Sequence, residues 1–208
     1  MRNLSNLAYQ DSWEEETWEE DAWKDKRQTE WIDGKSVSMA PAILKHNVVG
    51  SNIFTALHNF LKGKRCKAFM EFGYVHFSKK DKYIPDVMVV CNPEIIKDDG
   101  IHGVPDLIIE VLSPSTAKFD KGHKKDIYEK HGVKEYWIVS VKECNIEVYL
   151  LQDGKYVLDD VYTLLTDNCM KHWDEDEKQG VKHAITPSIF PELSIKLEDI
   201  FDSWIFKQ

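Results

Sequence analysis

The chain has 208 residues, 42% of them hydrophobic, a formal net charge of −9 and four cysteines without any C-x-x-C pair. That is the size of one domain with a sizeable core. The composition argues against a zinc ribbon, a disulfide framework and a membrane span, and the N-terminus lacks the basic-then-apolar order of a secretion signal, so a cytoplasmic location is expected. The acidic balance is uneven: between Asp11 and Glu30 there are nine acidic residues against three basic ones, which leaves the rest of the chain at −3.

The first 29 residues predict a polar helical arm carrying Trp13, Trp18 and Trp23, and residues 30–208 predict the domain proper. Asp33-Gly34, between short apolar-containing runs, predicts a hairpin with a tight primed turn. From Ile43 to Leu61 apolar residues recur at helical spacing, and Gly63 supplies a stop. Cys66–Phe77 and Tyr83–Cys91 read as antiparallel strands split by the polar turn 78–82. An apolar strand follows at Leu107–Leu112, interrupted by one carboxylate, Glu110. The lysine-rich helix after it places Lys124, Ile127, Tyr128 and His131 on one face and ends at Gly132. Strands at Glu135–Val141 and Ile146–Leu151, a further strand at Tyr156–Leu165, and a short helix at Leu197–Phe201 complete the order. Cys169 and His172, in the acidic insertion 166–180, have metal-like spacing but read as plain surface.

The chemistry concentrates in three side chains. Asp86 heads the apolar strand that follows Pro85, Glu110 sits inside another, and Lys124 can reach Glu110 across the strand-to-helix turn. A buried strand carries a lone ion only against a partner charge. Two strand-borne carboxylates offer hard oxygen ligands to magnesium or manganese, and with a lysine they make the parts of a phosphodiester-hydrolysing site. A Glu110–Lys124 pair that merely holds helix to strand is the competing reading. It leaves the charge of Asp86 unbalanced.

The blocks Pro85-Asp86-Val87, Asp106-Leu107-Ile108-Ile109-Glu110-Val111-Leu112-Ser113-Pro114-Ser115, Lys124 with Tyr128, and Gly132-Val133-Lys134-Glu135-Tyr136-Trp137 resemble, in this order and spacing, the Uma-two-type putative restriction endonucleases of the PD-(D/E)XK superfamily. The position where that superfamily's motif expects lysine holds Leu112, and Lys124 matches a lysine displaced to the next helix. The resemblance implies an α/β fold with a restriction-endonuclease-like core, a mixed central sheet flanked by helices. It implies a metal-dependent DNA endonuclease with Asp86 and Glu110 as ligands of Mg2+ or Mn2+ and Lys124 as catalytic lysine. A homodimer is expected, because cutting both strands takes two sites; a nuclease-like fold without catalysis, binding DNA or protein, is the alternative. Glu30 and His46 match further family positions and read either as groups approaching the metal or as a cap and a core residue. Ser113 reads as a phosphate contact or a turn cap. Three lysine groups, 62–67, 79–82 and 118–134, read as solvated surface or as a backbone-binding face.

Overall fold

The structure, a computed structural model, describes residues 29–39, 43–71, 73–114, 116–165, 170–172, 174, 176, 178 and 180–202. The expected N-terminal arm lies outside these residues except for Thr29, and so does Cys169. Among the described residues, no helix is long and apolar enough to cross a membrane.

Strands β1 (Thr29–Ile32) and β2 (Lys35–Ser38) form the expected hairpin, with Asp33 and Gly34 both at positive φ, 50° and 78°, as a primed turn requires. Helix α1 (Leu44–Leu61) follows. It buries Val49, Ile53, Leu57 and Leu61 at helical spacing, each burial stabilising by about 1.5–3 kcal/mol. Gly63, at φ 77°, lets the chain leave the helix.

The strands that the sequence joins into two long runs are four short ones, β3 (Lys67–Met70), β4 (Tyr74–His76), β5 (Lys82–Tyr83) and β6 (Val87–Val90). Their pairing is antiparallel as expected, β3 with β6 and β4 with β5. The two pairs belong to different sheets, however, because Glu71, at φ 26°, turns the chain between β3 and β4. The hairpin β7 (Ile96–Lys97) and β8 (Gly100–Ile101) precedes β9 (Leu107–Leu112). After it come α2 (Ala117–Phe119), a π-helical turn over Asp120–Lys124, and α3 (Lys125–His131). The left-handed Gly132, at φ 86°, caps α3. β10 (Glu135–Ser140), β11 (Asn145–Gln152), β12 (Lys155–Thr163), β13 (Ala184–Ile185), β14 (Ile195–Lys196) and α4 (Leu197–Ile200) complete the order.

The central sheet runs β12-β11-β10-β9-β6-β3, and it is mixed: β9 and β10 are parallel and every other pair is antiparallel. A second sheet, β2-β1-β5-β4-β8-β7, was not foreseen as a separate layer. Strand alternation sorts the core. Leu107, Ile109, Val111, Trp137 and Val139 meet α1 and the C-terminal residues Ile195, Leu197 and Phe201, whereas Ile108, Tyr136 and Ile138 meet Tyr83, Val75, Ile101 and Tyr128. By the same alternation Glu110 belongs with Ile108, on the face of α3 and the second sheet.

One expectation from composition fails. Cys66 and Cys91 are bonded to each other, and Cys144 is free. Lys67 pairs with Val90 across β3 and β6, so one step further along the register sets Cys66 opposite Cys91. Sequence spacing, with the two 25 positions apart, carries no trace of that adjacency.

Candidate functional site

The described residues bury few acidic, basic or imidazole side chains, and all but Glu135 gather in one place: Glu30, His46, Asp86, Glu110, Asp120 and Lys124. Each comes from a different step of the chain. Glu30 lies on β1, His46 on the first turn of α1, Asp86 just before β6, Glu110 in mid β9, and Asp120 with Lys124 on the π turn. Asp120, Lys124 and Tyr128 are successive fourth residues. That spacing drifts round a regular 3.6-residue helix, and the wider π turn offsets the drift, so the three form one inward stripe.

Lys124 is the hub. Its Nζ lies 3.0 Å from Glu30 Oε1, 3.1 Å from Glu110 Oε1 and 3.8 Å from Asp120 Oδ1. The Tyr128 hydroxyl donates to the same Glu110 oxygen at 2.6 Å. Glu30 Oε1 also accepts from the Ile84 backbone N–H at 3.1 Å, which ties β1 to the approach to Asp86. Burial pushes the Lys124 pKa down, but Glu110, Glu30, Asp120 and Asp86 outweigh it and hold the ammonium well above the ordinary lysine range. Burial, opposed by Lys124, raises Glu110, and the same balance raises Asp120. One ammonium does not neutralise these acids.

Asp86 is held differently. Its Oδ2 accepts from the Val111 N–H at 2.6 Å and lies 3.2 Å from His46 Nε2. His46 Nδ1 in turn lies 3.3 Å from Asn47 Oδ1. His46, Glu71 and Asp86 each offer a ligand atom within 4.8 Å of the others; no such group of three or more among the described residues contains Glu110. Burial first and the Asp86 charge second raise the Glu71 carboxyl. Glu71 is also the half-exposed member, so the cluster meets solvent on its side.

The structure thus brings Glu110 and Lys124 together as a hydrogen-bonded ion pair. It sets Asp86 on the neighbouring strand end, where the β6–β9 register runs Val87 opposite Ile109 and the Asp86 charge bears on Glu110. Asp86 gathers with His46 and Glu71 rather than bonding to Lys124. His46 does reach Asp86 from the helix, and Glu30 is a buried partner of the lysine. Ser113 caps its turn: its Oγ accepts from Thr116 N–H at 3.2 Å and lies 3.0 Å from Thr116 Oγ1. Glu71 and Asp120 escaped the sequence reading. Glu71 follows the apolar run Ala68-Phe69-Met70 and Asp120 lies four residues before Lys124, signals of the kind that singled out Glu110. Several lysines of the flanking groups are engaged locally, Lys121 with Glu147, Lys134 with Asp106, Lys64 over the Phe60 ring and Lys125 over the Tyr149 ring.

The donor set suits a hard divalent cation. Among the described residues Glu110 Oε2 and Asp86 Oδ1 accept no hydrogen bond, so each strand acid keeps one oxygen uncommitted. Carboxylate oxygens with one imidazole beside them match magnesium or manganese better than a thiolate-seeking metal.

Fold and acid cluster together define an α/β protein of restriction-endonuclease-like architecture. The sequence model of the Uma2 family, described as "Putative restriction endonuclease", matches residues 16–170, and the chain belongs to that family. Two proteins of Synechocystis sp. are similar to it. Uncharacterized protein slr1290 is 30% identical over 132 residues, 62% of this chain and 70% of that protein. Uncharacterized protein sll1609 is 29% identical over 126 residues, 59% of this chain and 71% of that protein. A crystal structure described as a putative nuclease belonging to DUF820, from Anabaena variabilis, shares the fold with a TM-score of 0.63 at 23% identity, covering 86% of this chain and 92% of its own.

Proposed function

We propose that the protein is a metal-dependent endonuclease hydrolysing DNA phosphodiester bonds, with Asp86 and Glu110 as ligands of Mg2+ or Mn2+ and Lys124 as the catalytic lysine. The observation that carries this reading is the surplus of buried carboxylates around a single ammonium, with one oxygen on each strand acid that accepts no hydrogen bond among the described residues. Membership of a family described by restriction endonucleases supports it. Bound there, the ion would neutralise charge developing on the scissile phosphate and lower the pKa of a water.

The chain's own residues do the positioning. β9 is paired on both sides, so the Glu110 backbone is fixed, and Lys124 with Tyr128 fixes the rotamer of its side chain. The Val111 N–H and His46 orient Asp86 in the same way. Lys124, kept charged by four neighbouring acids, serves as an electrostatic donor toward phosphate and not as a proton acceptor. Cutting of both strands by two copies, a homodimer, belongs to the same proposal.

Supercoiled plasmid incubated with Mn2+ or Mg2+ tests it. Wild-type protein is expected to nick the plasmid, Asp86→Asn and Glu110→Gln to lose nicking, and chelation to stop it. Equal nicking by wild type and Asp86→Asn would end the assignment. A calorimetric titration with Mn2+ that stays silent would favour the non-catalytic module, for which the Glu110–Lys124–Tyr128 bonds are reason enough.

A further inference from the structure

A second constellation shares no residue with the acids around Lys124. His76 ends β4, Asp99 stands in the turn between β7 and β8, and His102 follows β8. One ligand atom from each lies within 4.8 Å of the other two. His102 Nε2 is 2.9 Å from Asp99 Oδ1, and His76 Nε2 is 3.5 Å from the Asp99 carbonyl oxygen, so both imidazole edges turn to the same residue. The two rings stack at 4.3 Å with their planes 23° apart.

Backbone packing builds this arrangement. β4 and β8 run parallel, with Tyr74 opposite Gly100 and Val75 opposite Ile101. Val75 and Ile101 are buried, which anchors both strands in the core. A Cβ on Gly100 would fall 2.3 Å from the Tyr74 carbonyl oxygen, and Gly100 takes φ +140°, so only glycine lets the hairpin come so near. That close approach carries Asp99 and His102, on either side of it, up to His76.

The residue types select a class of ion. Two imidazoles and a carboxylate suit zinc and its neighbours among the later transition metals, and they suit magnesium or calcium poorly. An ordinary surface pair explains why His102 meets Asp99. His76 Nε2, for its part, meets the Asp99 carbonyl oxygen and its ring stacks on His102, so backbone and ring contacts already hold the three side chains together. An ion held between them would draw on one nitrogen of each imidazole and one Asp99 carboxylate oxygen, the ligand atoms that already lie within 4.8 Å of one another.

We propose that His76, Asp99 and His102 form a zinc-class site on the second sheet, with three protein ligands and a remaining position open to water. The site stands apart from the magnesium or manganese reading of Asp86 and Glu110. Zinc chloride titrated calorimetrically into the full chain at near-neutral pH tests it. Wild type and His58→Gln, a change at an exposed histidine of α1, are expected to bind a zinc ion with the same affinity, and His102→Gln and Asp99→Asn to bind it at least about tenfold more weakly. Asp99 is exposed, so its variant tests ligation without burdening the fold. No zinc binding by wild type, unchanged affinity in both ligand variants, or an equal loss in His58→Gln would each overturn the proposal.

Discussion

The Glu30 carboxylate lies 3.0 Å from the Lys124 ammonium with both side chains buried, so a residue of the second sheet shares the one cation of a helix packed on the central one. Removing the cation leaves several acids facing each other. Lys124→Met is therefore expected to cost about 3–5 kcal/mol. Glu30→Gln keeps an acceptor for the Ile84 N–H and leaves Glu110 and Asp120 beside the lysine, so its cost should be nearer about 1 kcal/mol. Urea unfolding followed by circular dichroism measures both; a Lys124→Met protein as stable as wild type would contradict the charge account.

The nearness of His46 and Glu71 to Asp86 gives the proposed metal site a second check. Glu71→Gln is expected to weaken Mn2+ binding about 10- to 100-fold in calorimetry while leaving the urea midpoint close to wild type, because Glu71 is half-exposed. An unchanged affinity would limit the ligands to Asp86 and Glu110.

The Cys66–Cys91 bond closes a loop with a sequence separation of 25, which corresponds to about 3 kcal/mol of constraint on the unfolded chain. Reductant should lower the urea midpoint of wild type and do nothing to a Cys66→Ser, Cys91→Ser protein. Cys144→Ser should behave as wild type.

His131 stacks on Phe77 at 4.9 Å, and its Nε2 is buried without a hydrogen-bond partner among the described residues. Burial, then the Lys130 charge, holds its pKa below the usual 6.5, with Asp81 opposing. The native protein thus takes up this proton less readily than the unfolded chain. Stability that is present above pH 6.5 is lost as the pH falls through that value toward the folded one. His131→Phe keeps the stack and removes the proton, so the gap between variant and wild type in urea midpoint should widen from about pH 7 to about pH 5. A constant gap would show that His131 does not titrate in that range.

Much of this was legible beforehand, and the reasons differ by residue. Leu107–Leu112, α1 and the Asp33-Gly34 turn announce themselves because local periodicity and positive φ leave marks on neighbouring letters. The Glu110–Lys124 contact was legible because a turn of fixed reach joins the two. Nothing local foretold that Glu71 would break one long strand into two and send β4 and β5 to a separate sheet, nor that Cys66 would face Cys91. Those outcomes are set by which strand lies beside which. His46 and Glu30 read beforehand either as groups approaching the metal or as a cap and a core residue, and only the folded chain distinguishes a partner of the acid from a partner of the lysine.

The stripe of Asp120, Lys124 and Tyr128 through the π turn makes residue count there matter more than residue identity. An inserted or deleted residue would swing the amine by roughly 100° about the helix axis, away from Glu110 and Glu30. Exchanges of outward-facing residues in this stretch leave that geometry in place, whereas a change of its length does not.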